Sequence, residues 1–351
     1  MKAVLGLEDG TSVEGEGFGA EGSCAGELVF CTSMTGYMEA LTDPSYHGQI
    51  LMFTYPLVGN YGVDHTVFQS TGMKALGCVV REVCREPSCG LPITRYFEDQ
   101  GLIGITGVDT RRLTIRIREH GTMRAVVVCG DVTHEEAVER ARKVADISDL
   151  DLIPDVSCRE PFRIPGKGKR IAVLDLGIKN AMLKSLRARG TDLYVFPHNA
   201  TRDQVEAVRP QAIFVSNGPG DPVRATETIR TVREFLGEIP VFGICFGNQI
   251  IGLAVGGKTY KMKFGHRGSN QPVRDAAGNI YITTQNHGFA VDADSLPEGC
   301  RVSYTNVNDG SLEGFEDPYL NAACVQFHPE AYAGPRDTEI TFFDEIVRRT
   351  P

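Results

Sequence analysis

Cys245 stands in IPVFGICFGNQIIGLAVGG (239–257), where a short apolar run ends in Gly-Ile-Cys-Phe-Gly and an apolar helical pattern begins at once. This reads as strand, sharp turn and helix, an arrangement that pushes the turn residue out of the sheet edge; Gly243 and Gly247 leave room for the tight backbone it needs. The helix opening near Asn248 aims unpaired N–H groups and a positive dipole end at the sulfur, favouring thiolate, the form that attacks carbonyl carbon. A lone cysteine at a strand end is also a common small apolar core residue, so the nucleophile reading needs a base. Among eight histidines, His328 follows an apolar strand pattern (321–327) within ACVQFHPEAYAGP. Pro329 disfavours helix at His328, and in extended chain His328 and Glu330 project to one side. Nucleophile, base and orienting carboxylate then follow in the order Cys245, His328, Glu330.

Acyl transfer also needs N–H donors for a developing oxyanion. SNGPGDP (216–222) follows a strand, and its glycines let backbone approach a bound carbonyl, although Gly-Pro-Gly alone is an ordinary turn. The other natural donor is the N–H of Phe246, directly after the nucleophile. A third segment, QNHGFAV after IYITT, reads as a Gly-containing loop that could line the same mouth, or as a plain hairpin turn.

The elements that must position these groups change character along the chain. From Met1 to Leu150 short strands alternate with Gly-rich turns and a few helices; TRRLTIRIRE (110–119) is spaced as an amphipathic helix and MRAVVVCG as a buried strand. Residues 151–169 carry Pro154, Pro161 and Pro165 and read as a linker. From Arg170 onward strands and helices alternate: RIAVLDL, a helix over 179–189, DLYVF, a short helix capped by Thr201, QAIFVS, a helix over 226–236, then the elbow. Such alternation predicts a doubly wound, mainly parallel α/β sheet, with ligand beyond the carboxyl ends of its strands.

At 351 residues, 42% hydrophobic and 23% charged, the chain has material for two ordinary globular domains. Its formal charge of −9, with both signs interspersed, argues against a general nucleic-acid binder, and no apolar run reaches membrane-spanning length. The first residues alternate as a strand around an Asp9-Gly10 turn rather than forming an apolar signal core. Ten scattered cysteines without a CxxC pair suggest a reducing cytoplasm. There is no G-x-x-x-x-G-K-[ST] loop and no metal-ligand spacing, so neither nucleotide nor metal is expected on this chain.

Together SNGPGDP, GICFGNQ and QFHPE make the half from Arg170 onward resemble a class I, triad-type glutamine amidotransferase domain. The first half resembles the small subunit of carbamoyl-phosphate synthetase through LEDGT, TSMTGYMEALTDPSY, TYPLVGNYGV and GVDTRRLT. The resemblance implies that Cys245 forms a γ-glutamyl thioester with glutamine, that His328 protonates the leaving ammonia and then activates water, and that Glu330 orients His328. It implies glutamine contacts from Ser45, Gly218, Gly220, Phe246, Gln249, Asn286, Gly288 and Phe289. It further implies a large subunit that binds ATP, Mg²⁺ and bicarbonate, in a heterodimer or an assembly of heterodimers, serving arginine and pyrimidine synthesis. Phe246 and Asn248 stand where many members carry Leu and His, but a backbone donor tolerates the first change and the second position should face away from the thiolate. Rival readings are the same domain serving another biosynthetic enzyme, a stand-alone cysteine hydrolase, and a non-catalytic regulatory subunit. The segment from TSMTGY to GVDTRR speaks against the first of these.

Overall fold

The Gly-rich turns of the first 150 residues serve a barrel. In the computed structural model, which describes residues 1–351, the strands are β1 (Lys2–Leu7), β2 (Ser12–Gly19), β3 (Gly22–Cys31), β4 (Gln49–Phe53), β5 (Leu57–Val58), β6 (Gly77–Val79), β7 (Glu82–Val83), β8 (Ile103–Thr106) and β9 (Met123–Cys129). Seven of them close in the order β1-β2-β8-β6-β4-β3-β9, with β9 pairing back onto β1, while β5 and β7 form a separate parallel ribbon. The helices are α1 (Tyr37–Leu41), α2 (Ile93–Asp99), α3 (Thr110–His120) and α4 (His134–Arg142). Helix α3 starts where the Asp109 carboxylate accepts from the Arg112 N–H, and it buries Leu113 and Ile117 as its spacing predicts. Its other face leaves Arg111, Arg112, Ile115 and Arg118 exposed.

Residues Asp151–Pro351 form a second unit, distinct from Met1–Leu150. Its strands are β10 (Phe162–Ile164), β11 (Arg170–Asp175), β12 (Asp192–Pro197), β13 (Ala212–Val215), β14 (Val241–Ile244), β15 (Lys258–Asp275), β16 (Ile280–Asp292), β17 (Arg301–Asn306), β18 (Leu312–Asp317) and β19 (Ala322–Val325). They make one sheet in the order β10-β12-β11-β13-β14-β19-β18-β17-β15-β16. Strands β12, β11, β13, β14 and β19 run parallel, and antiparallel strands extend this core on both sides. AIFV and VFGI are buried at every position, as strands covered on both faces require. The helices are α5 (Asn180–Ala188), α6 (Arg202–Glu206), α7 (Thr226–Phe235), α8 (Phe246–Ala254) and α9 (Asp337–Arg349). Thr201 and Gln204 close a capping box on α6.

Two sequence expectations need correction here. The 151–169 segment is not a bare linker: Phe162–Ile164 pairs with β12 as an outer strand, and Ile153–Asp155 forms a 3₁₀ turn. Pro161 and Pro165 fall just outside the three paired residues, at the sheet edge, where proline's missing N–H disrupts no central ladder. QNHGF is not a loop either; it lies inside β16, with His287 opposite His266 of β15. Gly288 marks a close approach rather than a turn, since a Cβ there would lie 2.9 Å from Arg267 Nη2. The neighbouring irregularity is a register shift between Lys261 and His266, with Gly265 at φ +69°.

Candidate active site

Four neighbouring parallel strands, β11, β13, β14 and β19, end at one edge of the sheet, and the segments beyond their carboxyl ends hold Lys179, Gly218, Cys245 and His328. After β14 comes Cys245, at φ 58° and ψ −104°, a positive-φ conformation that a non-glycine residue adopts only when its surroundings impose it. The imposing contacts are visible. The Cys245 N–H donates to Val325 O of β19 at 2.8 Å, and the Cys245 carbonyl accepts from Asn248 N at 3.0 Å to open α8. The helix also crosses the strands closely: a Cβ on Gly247 would lie 2.2 Å from Val215 O, and one on Gly243 would lie 2.6 Å from Gly247 O. Both glycines are there for contact distance, not for positive φ. Phe246 holds the first helical position, whose N–H has no partner within the helix, so it is available to an oxyanion.

Cys245 is 2% exposed, and its thiol lies 3.5 Å from the carbonyl of Asn286 in β16. Beside it, Gln249 Nε2 donates to Phe289 O at 2.7 Å and to Gln326 Oε1 at 3.1 Å, tying α8 to β16 and to the chain after β19. Asn248 also donates to Gln326 Oε1, at 3.1 Å. Cys245, Gln249, Asn286 and Phe289 are thereby brought together.

Beyond β19, the His328 N–H donates to Thr284 O at 2.8 Å, and the chain then turns so that Ala331 N donates to His328 O at 3.0 Å. The turn brings Glu330 back onto the imidazole, with His328 Nδ1 2.8 Å from Glu330 Oε1. A carboxylate only accepts, so Nδ1 carries the proton and Nε2 keeps its lone pair; Nε2 is buried with no hydrogen-bond partner. That is the tautomer a general base requires.

The same Glu330 oxygen meets Lys179 Nζ at 2.9 Å, and the ammonium also donates to Ala331 O at 3.0 Å. Lys179 is 2% exposed and Glu330 fully buried. Burial pushes the Glu330 carboxyl up, but Lys179 and His328 outweigh it and hold it at about 2. Sequence reading missed Lys179, which follows β11 in LGIKN. Its signal is position: it lies just past the carboxyl end of a core parallel strand, as the elbow does. Its backbone N–H donates to Asn217 Oδ1 at 3.1 Å, which joins it to the 216–220 segment beyond β13. There Gly218 packs against β11's exit, where a Cβ would lie 2.5 Å from Leu176 O, and Gly220 takes φ +79°.

His287 is fully inside the fold, with Nδ1 2.9 Å from Phe289 O. Burial and the neighbouring His266 push its pKa well below the usual imidazole range. His266 goes the other way: burial pulls it down, but Asp309 and Glu313 raise it to about 9. Ser45 belongs to the first unit, in a 3₁₀ turn over Pro44–Tyr46 where its N–H donates to Asp43 Oδ1 at 2.9 Å.

Two family models match the chain, one in each unit. Residues 172–347 match the family described as glutamine amidotransferase class-I, and residues 5–127 match the carbamoyl-phosphate synthase small chain, CPSase domain. The chain is 54% identical to the carbamoyl phosphate synthase small chain of Methanosarcina mazei, over 99% of this chain and 98% of that one. It is 47% identical to that of Archaeoglobus fulgidus with the same coverage, and 44% identical to that of Clostridium acetobutylicum over 99% of both chains.

Proposed function

Because the chain belongs to the carbamoyl-phosphate synthase small-chain family, we propose that it hydrolyses L-glutamine at the β14–α8 elbow and hands ammonia to a large synthetase chain. The observation that carries this reading is the buried relay Lys179, Glu330, His328, which fixes a base with an unpartnered Nε2 just beyond β19, the strand paired with β14 of the Cys245 elbow.

The reaction follows from the groups present. His328 Nε2 takes the thiol proton of Cys245, and the thiolate attacks the side-chain amide carbon of glutamine. The resulting oxyanion is stabilised by the N–H groups of Phe246 and Gly218. His328 returns its proton to the amide nitrogen, the C–N bond breaks, ammonia leaves and a γ-glutamyl thioester remains. Water, deprotonated by the same imidazole, attacks the thioester and releases glutamate, and the proton returns to sulfur. Glu330 stabilises the imidazolium, and Lys179 keeps Glu330 ionised. Gly220, Gln249, Asn286, Gly288 and Phe289 line the glutamine site.

In this reading the chain carries no cofactor. The large chain binds ATP, Mg²⁺ and bicarbonate and consumes the ammonia in making carbamoyl phosphate for arginine and pyrimidine synthesis, in a cytoplasmic heterodimer or an assembly of heterodimers. The absence of a phosphate-binding loop motif from the sequence supports this division of labour. Reconstitution tests it: the large and small chains together should make carbamoyl phosphate from glutamine or from ammonia. Failure of glutamine alone to support synthesis would refute the assignment.

A further inference from the structure

We propose that His266, His287 and Glu313 form a binding site for a divalent transition-metal ion, zinc foremost, with Gln285 supplying a further oxygen. The three residues come from β15, β16 and β18, all are buried, and one ligand atom from each lies within 4.8 Å of the others. A single ion can gather atoms over that span through small side-chain rotations.

Hydrogen bonding fixes which atoms face the centre. His287 Nδ1 lies 2.9 Å from the Phe289 carbonyl, which can only accept, so Nδ1 bears the proton and Nε2 presents its lone pair. At 3.1 Å from that nitrogen stands Gln285 Oε1. The amide orientation is set by Gln285 Nε2 donating to Thr283 Oγ1 at 3.2 Å, because the Thr283 hydroxyl itself donates to Gln271 O at 2.9 Å. Two lone pairs thus confront each other inside the fold, and a cation coordinated by both resolves the conflict.

His266 is oriented likewise. Its Nε2 lies 2.9 Å from Asp309 Oδ2 and its Nδ1 3.3 Å from Glu313 Oε1; both carboxylates only accept, so an arriving metal takes the place of the Nδ1 proton, which is released to solvent. A carboxylate, an imidazole and then a metal form the usual outer-shell arrangement that fixes a ligating histidine. Glu313 accepts from Asn306 Nδ2 at 2.9 Å through Oε1, while its Oε2 is buried without any hydrogen-bond partner. Asp309 and Glu313 together balance a dication. Two imidazoles and a carboxylate are a common ligand set for zinc.

Such an ion would staple the strands behind the reacting groups. His287 is next to Asn286, whose carbonyl meets the Cys245 thiol, and the Glu313 carbonyl accepts from Gln326 N, two residues before His328. The test uses the full chain, stripped by chelator and titrated with Zn²⁺ against a zinc-binding dye, with X-ray absorption at the zinc edge of the loaded protein. One equivalent should bind with sub-micromolar affinity, with nitrogen and oxygen ligands that include imidazole. Glu313→Gln should weaken binding at least about 10²-fold. Asp309→Asn, at a half-exposed position, should weaken it about 10- to 100-fold. The proposal is overturned if the wild type binds no equivalent, if Asp309→Asn binds like the wild type, or if a sulfur shell near 2.3 Å places the ion on thiols.

Discussion

Replacing Lys179 by Met removes one charge from a fully buried pair and leaves the other behind. Glu330 Oε1 receives both the ammonium at 2.9 Å and His328 Nδ1 at 2.8 Å, and neither Lys179 nor Glu330 is more than 2% exposed. Breaking a buried pair from one side costs about 3–5 kcal/mol, because the orphaned charge keeps its desolvation penalty. The direction with pH also reverses. In the wild type the Glu330 pKa is depressed from 4.5 to about 2, so its contribution is present above 4.5 and is lost as pH falls toward 2. Without Lys179 the largest influence opposing burial is gone, and the folded pKa should rise above the unfolded one. The variant's stability should then fall relative to the wild type's as pH rises through neutrality. Glu330 would enter the neutral range partly protonated and would stabilise the His328 imidazolium less. Glutaminase kcat should drop by about 10²-fold or more, with the acidic limb of its pH profile moved upward.

The assay is thermal or urea unfolding at pH 5 and pH 8, run beside the glutaminase pH profile. The double variant Lys179→Met/Glu330→Gln removes both charges and should be more stable at pH 8 than Lys179→Met alone, although it will be poorly active. A single variant with wild-type stability and rate at pH 8 would refute the reasoning, as would a double variant that simply adds the two single costs.

Other expectations are more direct. Cys245→Ser should abolish glutamine hydrolysis and glutamine-dependent synthesis while ammonia-dependent synthesis by the complex persists, measured as carbamoyl phosphate formed from each nitrogen source. Gly247→Ala sets a Cβ 2.2 Å from Val215 O and should destabilise the second unit by about 1–3 kcal/mol or more while depressing glutaminase activity, checked by unfolding midpoints. A cavity of about 390 Å³ in the first unit is lined by Arg81, Arg111 and Arg118 with Thr54, Thr110 and Ile115, a concentration of positive charge on a domain with no proposed reacting group. Arg111→Glu with Arg118→Glu should weaken association with the large chain about tenfold and make it less salt-sensitive, measured by titration calorimetry at two ionic strengths.

The parallel core and the elbow were legible because they depend on local pattern. RIAVLD, AIFV and VFGI are apolar runs of strand length, and Gly-x-Cys-x-Gly between a strand and a helix has few other uses. The pairing of His328 with Glu330 was legible from residue type and nearness, but not its geometry: the extended chain expected around Pro329 is a turn, closed by Ala331 N donating to His328 O. Lys179 was not, since nothing around it marks a lysine as buried; only the sheet order shows that β11 ends beside the other site segments. QNHGF misled because a glycine beside polar residues imitates a turn. In the fold its polar side chains face internal partners, and the strand continues through them. His266, His287 and Glu313 carry no spacing signal at all, because three different strands bring them into register.

The first unit's barrel has a consequence for how anything can attach to it. Each of its seven strands has a hydrogen-bonded neighbour on both sides, so the ring offers no open row of N–H and C=O groups to an incoming strand. A partner must read side chains instead, along surfaces such as the arginine face of α3. Recognition of that kind is set by charge and shape at individual positions, so point substitutions can retune partner choice without disturbing the backbone ladder that holds the barrel shut.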